Sequence, residues 1–294
     1  MKNILILAGI LLLFAACSND SETIVDNNAL APVRVQVTGY SVSQEDFPST
    51  RAAENLVSYS GINAITLAFY KSDGSQAYKH EQLKDDNTTY TTFGNFALSL
   101  PMGSYTMVAL AYKTKEGCPL VLTSPTAAAF TGDHGYETFA MTQAVNITNT
   151  SAVDLSATLN RIVSRLTVYS SDGRTANVTN VRMTFSAGGW SFNPTTGLAT
   201  VNTGLANTVS ISAATGETST SSTNFFLLTD EQTMNVTIET LDADGNTLFN
   251  KTIENVPFKR NRVTALTGKM YASDALSGSF KVETSWLDDE NVAF

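Results

Sequence analysis

Leu155, Ala157 and Leu159 fall on alternate residues, and after a short break Leu166 and Val168 do the same. This period of two, across Leu155 to Tyr169, most limits what the chain can fold into. Each run is a strand with one face turned to a core. Leu159, Ile162, Val163 and Leu166 also fit helical spacing. Thr158, Val163, Thr167 and Val168 are β-branched, however, and favour the extended form. Arg161 and Arg165 sit between the apolar runs. The chain on each side is a string of short apolar runs and turn residues. The stretch is therefore expected to be the point where one β domain hands over to the next. That gives an N-terminal β-sandwich domain over residues 32–155 and a C-terminal one over residues 156–294.

The start of the chain is a targeting signal. Lys2 supplies positive charge, Ile4 to Phe14 is an apolar run, and Ala15 and Ala16 are small. The run is well short of the roughly 20 residues needed to span a membrane, so residues 1–16 read as a cleaved export signal. The string Leu13-Phe14-Ala15-Ala16-Cys17 resembles the lipobox of bacterial lipoproteins, although Phe14 departs from the usual Leu. Cleavage between Ala16 and Cys17 would leave Cys17 as an acylated first residue. Residues 17–31, polar at first, are expected to form a flexible tether.

Removing the signal leaves residues 17–294, too many for one small sandwich and suited to two domains. The net charge is −9 for the whole chain and one unit more negative without Lys2. That balance argues against nucleic acid as a partner. The cysteines are Cys17 and Cys118. With Cys17 acylated no intrachain disulfide can form, so stability must rest on packing. Cys118 reads as a thiol in a loop or at a strand end.

In chain order, Val33, Val35 and Val37 alternate with polar residues in a first strand, Val33 to Tyr40. Residues 41–60 form a polar loop carrying Pro48 and Arg51, with a short helical turn near Ala52 to Leu56. Ile62 to Tyr70 is a second strand, with Ile65, Leu67 and Phe69 on one side. Asp73-Gly74, Asp172-Gly173 and Asp244-Gly245 each follow an alternating run, which is a strong hairpin signal. Three such hairpins suggest related building blocks on both sides of the seam. Phe93 to Leu100 and Tyr105 to Tyr112 read as a further hairpin through Pro101 to Ser104. Residues 114–140 read as a long loop with a turn at Gly132 to Gly135, and Glu217 to Thr223 as a Ser/Thr-rich loop. Closely spaced short strands with no long helix mean sandwiches or barrels.

The residues show little chemistry. His80 and His134 stand apart, without a partner at metal-ligand spacing, and read as solvated loop residues. Asp242 to Asn246 superficially suggests a calcium loop, but its Gly is misplaced and the distal Glu is missing, so a hairpin turn explains it better. Asp85-Asp86 and Asp288-Asp289-Glu290 are carboxylate clusters, and neighbours on a strand point to opposite faces. No phosphate cradle and no nucleophile elbow is present. No catalytic, cofactor or metal residue is therefore assigned, and the chain reads as a non-enzyme.

Taken in order, the features resemble the fimbrillins, the lipoprotein-exported subunits of the Bacteroidia-type (type V) pilus, including the FimB/Mfa-like anchor and tip families. The points of contact are the lipobox at Cys17, the early strand Val33 to Tyr40, the loop with Thr50-Arg51-Ala52, and Ile62 to Tyr70 before Asp73-Gly74. They continue with Leu159 to Val168, with Lys259-Arg260-Asn261-Arg262-Val263-Thr264 ahead of Gly268, and with a terminal strand reaching Trp286. The resemblance implies an all-β chain of two tandem transthyretin-like (Greek-key) β-sandwich domains. It implies a structural subunit of cell-surface fimbriae, attached to the outer membrane through lipid. Its partners would be other fimbrial subunits and a host or bacterial surface ligand. Stalk, tip and anchor roles all stay open.

Arg34 and Arg51 are the only arginines between Cys17 and Asn160, and Arg34 falls within a strand. An Arg-specific protease would therefore meet one accessible site, between Arg51 and Ala52. In the resembling stalk subunits such a cut removes the lipidated segment with the first strand, and a strand from the next subunit takes its place. Left uncut, the protein would stay lipidated, as an anchor would. A surface glycan-binding lipoprotein is the alternative reading. It would stack sugars on exposed aromatics such as Trp190 and Trp286. The terminal run places Phe280, Val282 and Trp286 on one face, expected to be buried.

Overall fold

A computed structural model describes residues 29–41, 59–84, 93–132, 134–271 and 280–286. The signal, the acylation site at Cys17, the processing site at Arg51 and Ala52, and the turn expected near Ala52 to Leu56 all lie outside these residues. So do Asp85-Asp86 and Asp288-Asp289-Glu290.

The described chain is all-β. Its first half holds β1 (Leu30–Ser41), β2 (Ala64–Lys71), β3 (Gln76–Leu83), β4 (Asn95–Pro101), β5 (Gly103–Tyr112), β6 (Leu120–Ser124), β7 (Ala127–Phe130), β8 (Thr138–Ile147) and β9 (Val153–Arg161). Its second half holds β10 (Ser164–Ser170), β11 (Asn180–Phe185), β12 (Ser191–Asn193), β13 (Leu198–Ala199), β14 (Leu205–Ser210), β15 (Thr220–Phe225), β16 (Glu231–Leu241), β17 (Thr247–Lys259), β18 (Arg262–Gly268) and β19 (Lys281–Trp286). The stretch from Leu155 to Tyr169 is two strands, β9 and β10, as its β-branched residues favoured. The boundary expected at residue 155 falls inside β9, because Ala157 and Leu159 continue the alternation into the first core. Likewise β1 starts at Leu30, inside the expected tether, because Ala31 is already a core residue.

The first half is one sheet of order β3-β2-β5-β8-β9-β1-β4. β8 and β9 pair only at Phe139↔Arg161 and Ala140↔Asn160. Beyond that corner the sheet folds over, so that β3-β2-β5-β8 faces β9-β1-β4 across a shared core of Val33, Val35, Leu67, Phe69, Met107 and Leu159, among others. The second half packs the sheet β14-β11-β16-β17 against the sheet β15-β10-β18-β19.

These two sandwiches repeat one topology. Strand for strand, β3-β2-β5-β8 corresponds to β14-β11-β16-β17, and β9-β1-β4 corresponds to β18-β10-β15. Pairing senses agree throughout. β1 runs parallel to β9 as β10 does to β18, and the other corresponding pairs are antiparallel. Each half also carries an inserted hairpin, β6–β7 and β12–β13, and the two join into a sheet of order β13-β12-β7-β6. That bridging sheet lies over a third core. There Tyr70, Leu110 and Tyr112 of the first half meet Ile162, Phe192 and Phe226. β2 is consequently buried on both faces, not on the one side expected.

Several local expectations differ from the fold. Asp73-Gly74 and Asp244-Gly245 do close hairpins, with Gly φ of 82° and 84°. They join non-equivalent strand pairs, so the repeat is real but these turns do not mark it. Asp172-Gly173 closes no hairpin, since β10 and β11 belong to different sheets. Asp172 instead accepts the backbone N–H groups of Met270 and Tyr271, each at 2.8 Å. β4 and β5 do not pair with each other, because Leu98 and Leu100 are recruited beside β1. The expected loop over residues 114–140 contains β6 and β7, which cover the outer face of β2 and β5. The Ser/Thr-rich loop contains β15, whose inward Thr223 accepts a hydrogen bond from Asn207 Nδ2 at 2.6 Å. A hydroxyl satisfied in this way can line a core that hydropathy would not assign to it.

On the outer face of the second sandwich Arg182 and Glu239 form a bidentate pair, at 2.6 and 2.7 Å. The hydrogen bond from Arg182 holds the Glu239 carboxyl below its ordinary value. A carboxyl lowered on folding stabilises the fold above its unfolded pKa, and that contribution is lost as pH falls through the folded value. Arg182→Gln should therefore lower stability at neutral pH and flatten the acid limb, measured by urea unfolding below about pH 4.5, the ordinary Glu value, while the neutral-to-alkaline slope stays unchanged. An unaltered acid limb would show that the pair carries none of it.

Candidate functional site

Two features stand out: the position of β1, and the charged junction between the halves. β1 is the first described strand in sequence, yet it lies in the middle of its layer. It pairs antiparallel with β4 from Leu30 to Gln36 and parallel with β9 from Val33 to Ser41. Ala31, Val33, Val35 and Val37 point into the core and are at most 3% exposed, while Pro32, Arg34, Gln36 and Thr38 face out. Pro32 precedes the first pair with β9, where β1 has a single neighbour, so its missing N–H interrupts no second ladder. Gln82 of β3 ties the layers together. Its Nε2 donates to Asn95 O at 2.7 Å and its Oε1 accepts from Gly94 N at 2.8 Å, while Gly94 O accepts from Val37 N at 2.9 Å.

The junction brings together two sequence stretches a hundred residues apart, Leu159 to Val168 and Lys259 to Thr264. Arg161 Nε lies 2.7 Å from Glu137 Oε1, and the two side chains are 1% and 9% exposed. The Tyr59 hydroxyl donates to the same oxygen at 2.6 Å and accepts from Arg161 Nη2 at 3.0 Å. Arg161 Nη1 donates to Asn261 Oδ1 at 3.2 Å, and the guanidinium sits 5.0 Å from the centroid of the Phe139 ring. Arg165 Nη2 lies 4.0 Å from Glu137 Oε2, and its Nε donates to Asn224 Oδ1 at 2.9 Å. Asn261 occupies the left-handed region at φ 59° in the β17–β18 turn and donates its N–H to Val163 O at 2.8 Å. Buried charges of this kind are tolerated only when paired and mostly hydrogen-bonded. The cluster thus joins the halves through Arg161 on Asn261 and Arg165 on Asn224.

Sequence reasoning noted Arg161 and Arg165 only as spacers and passed over Glu137. An arginine placed inward by strand parity was the one available signal. Beside the joint lies an open cleft of about 720 Å³, lined by Thr142, Asn160, Asp230, Glu231, Lys259 and Arg260 among others. Its carboxylates are engaged: Glu231 by Lys259 at 2.7 Å and Asp230 by Arg260 at 2.9 Å. Among the described residues, neither carboxylate of this cleft is free of an ion pair.

The remaining singled-out residues are dispersed. His80 lies on β3 rather than in a loop, half-buried against Phe96. His134 stacks on Tyr136. Asp242 spends its carboxylate on Asp244 N, Asn246 N and Asn246 Nδ2, as a turn residue does. The buried Cys118 thiol donates to His134 O at 3.0 Å. Among the described residues no group of His, Cys, Asp or Glu is placed to hold a metal ion, and no helix is long and apolar enough to cross a membrane. Trp190 is half-buried between the second and third cores, not displayed as a sugar platform. In the terminal strand Phe280 packs on the core, but Val282 is 37% exposed because β19 is a sheet edge. The Trp286 side chain lies outside the description.

No curated protein matches the sequence. Among solved structures the chain is similar to a candidate adhesin of Bacteroides ovatus, at 13% identity and TM-score 0.51, over 84% of this chain and 88% of that one. It is similar to the fimbrial anchor protein Mfa2 of Porphyromonas gingivalis, at 12% identity and TM-score 0.50, over 87% and 97%. A candidate polysaccharide-binding protein of Bacteroides thetaiotaomicron also matches, at 12% identity and TM-score 0.50, over 89% and 99%. At these identities the likeness is one of fold, and it is the fold that the fimbrillin resemblance implied. Residues 29–292 match the model of a family of unknown function, and the chain belongs to that family, DUF6562.

Proposed function

We propose that this chain is a structural subunit of cell-surface fimbriae, exported as a lipoprotein through Cys17 and assembled by strand exchange at β1. The carrying observation is the placement of β1. It is the first described strand, its inward face completes a core, and both its edges are paired. It is joined to the rest of the chain only through residues 42–58. Taking it away leaves β4 and β9 with open edges on either side of an apolar slot, which is what a donor strand needs. Its counterpart β10 cannot leave in this way, because two residues connect it to β9 and Arg165 ties it to the joint. The shared fold of the fimbrial anchor Mfa2 is consistent with this reading.

In this proposal the chain has no catalytic role and its partners are other fimbrial subunits. It sits at the outer membrane and cell surface, and it divides into two domains near Ile162. Lipid on Cys17 supplies attachment, and two or more acyl chains anchor stably where one does not. Arg51 is the switch between roles. Mass spectrometry of the surface-exposed form is the test. A chain starting at Ala52 marks a polymerising subunit, and an acylated start at Cys17 within assembled fimbriae marks an anchor. A protein that never enters fimbriae in either form would refute the assignment.

A further inference from the structure

We infer that the slot held by β1 accepts a donor strand of small side chains, and that the donor comes from a different subunit, not from a second copy of this chain. The inference rests on the strand-exchange reading above and adds the identity of the partner.

The slot is defined row by row. Ala31 pairs with Leu100, Val33 lies between Leu98 and Val153, Val35 between Phe96 and Leu155, and Val37 beside Ala157. The core behind holds Ile65, Leu67, Phe69 and Met107, all at 0% exposure. Ala31 is itself 0% exposed and Val37 3%, so both ends of the row are closed. A larger side chain at a closed position forces rotamers and backbone apart. An occupant must therefore present four alternate inward residues close in size to Ala-Val-Val-Val, with polar residues between them. β-branched side chains suit such positions.

This chain's own candidate donor is its terminal segment. β19 has a single neighbour, β18, and it is the last strand described. Strand parity then tests every way of laying residues 271–294 into the slot. Every set of four alternate residues in that stretch contains an aromatic or a charged side chain, with one exception. The exception is Ser273-Ala275-Ser277-Ser279, which has no side chain able to fill a valine site. The most apolar set, Phe280-Val282-Thr284-Trp286, places one ring at each closed end. The sets Leu276-Gly278-Phe280-Val282 and Gly278-Phe280-Val282-Thr284 put a ring in one slot and leave another empty. Residues 271–294 therefore offer no strand that fits the slot, and β1, which does fit, is held in place by β4 and β9. The chain works where unlike subunits meet.

The test keeps the folded protein whole. A chain cut once within residues 42–58 after folding retains β1 as a bound fragment. It is then challenged with equal concentrations of three synthetic peptides. These are residues 30–41, residues 279–290, and residues 279–290 carrying Phe280→Val and Trp286→Val. Native mass spectrometry counts the exchange. The first peptide should displace the fragment, the second should do so at least tenfold less, and the third should recover most of the difference. Exchange of the unaltered 279–290 peptide as readily as the 30–41 peptide would overturn the inference. So would self-assembly of the cut chain on size-exclusion chromatography. Failure of the 30–41 peptide to enter a folded, cut chain would overturn strand exchange itself, and this inference with it.

Discussion

Replacing Glu137 with alanine is expected to destabilise the protein by about 3–5 kcal/mol. The carboxylate accepts from the Tyr59 hydroxyl, pairs as an ion with Arg161 at 2.7 Å, and faces Arg165 at 4.0 Å. Its removal leaves arginine side chains that are 1% and 7% exposed without that counter-charge. Neither solvent nor salt can screen groups this deeply buried. Urea unfolding should show a lowered midpoint at unchanged slope. The double variant Glu137→Gln with Arg161→Met should recover much of the loss, because exchanging a buried pair for a neutral, well-packed one costs far less than orphaning one partner. A loss below about 1 kcal/mol for Glu137→Ala, within the range of an exposed pair, would show that the joint is not held electrostatically.

Phe226→Ala carries the second large effect, about 3–5 kcal/mol for a fully buried ring. Phe226 follows β15 in the second half, yet it stacks on Phe192 at 4.2 Å and on Phe130 of the first half at 6.4 Å between centroids. The cavity therefore opens in the core that both halves share. Calorimetry should show a lower melting temperature and weaker coupling, with the wild-type transition broadening or splitting in two. A variant that melts as one sharp transition at an unchanged temperature would mean that the bridging sheet alone couples the halves.

Much of this was legible in the chain. Period-two alternation in Val33 to Val37, Leu155 to Leu159 and Leu166 to Val168 marked strands and the class, and it marked the inward face of β1 by residue parity. β10, expected to bury one face, is buried on both because Arg165 and Thr167 are covered as well. Gly74 and Gly245 marked two hairpins correctly because a tight turn needs positive φ. Three kinds of information were not local. Which strands pair depends on contacts far apart in sequence, so Pro101 to Ser104 looked like a hairpin although β4 and β5 lie far apart in the same sheet. Burial of polar residues depends on partners, so Thr223 and Ser221 were read as loop while they line β15. The duplication was suggested from Asp-Gly turns that turn out to be non-equivalent, since topology can repeat where turn sequences do not.

What the sequence determined by itself was the period-two strand pattern, the apolar face of β1, and residues 271–294 with no valine-like row. All of these are properties of residue type and spacing. The tertiary structure alone decided that β1 lies between β4 and β9, that the inserted hairpins join the halves, and that Glu137 meets Arg161, Arg165 and Tyr59 at one buried joint. The physical reason is that a buried charge or an unpaired strand edge is stable only beside a particular partner. Asn261 of the second sandwich reaches Arg161 of the first only across the joint, where Tyr59 and Glu137 also meet it.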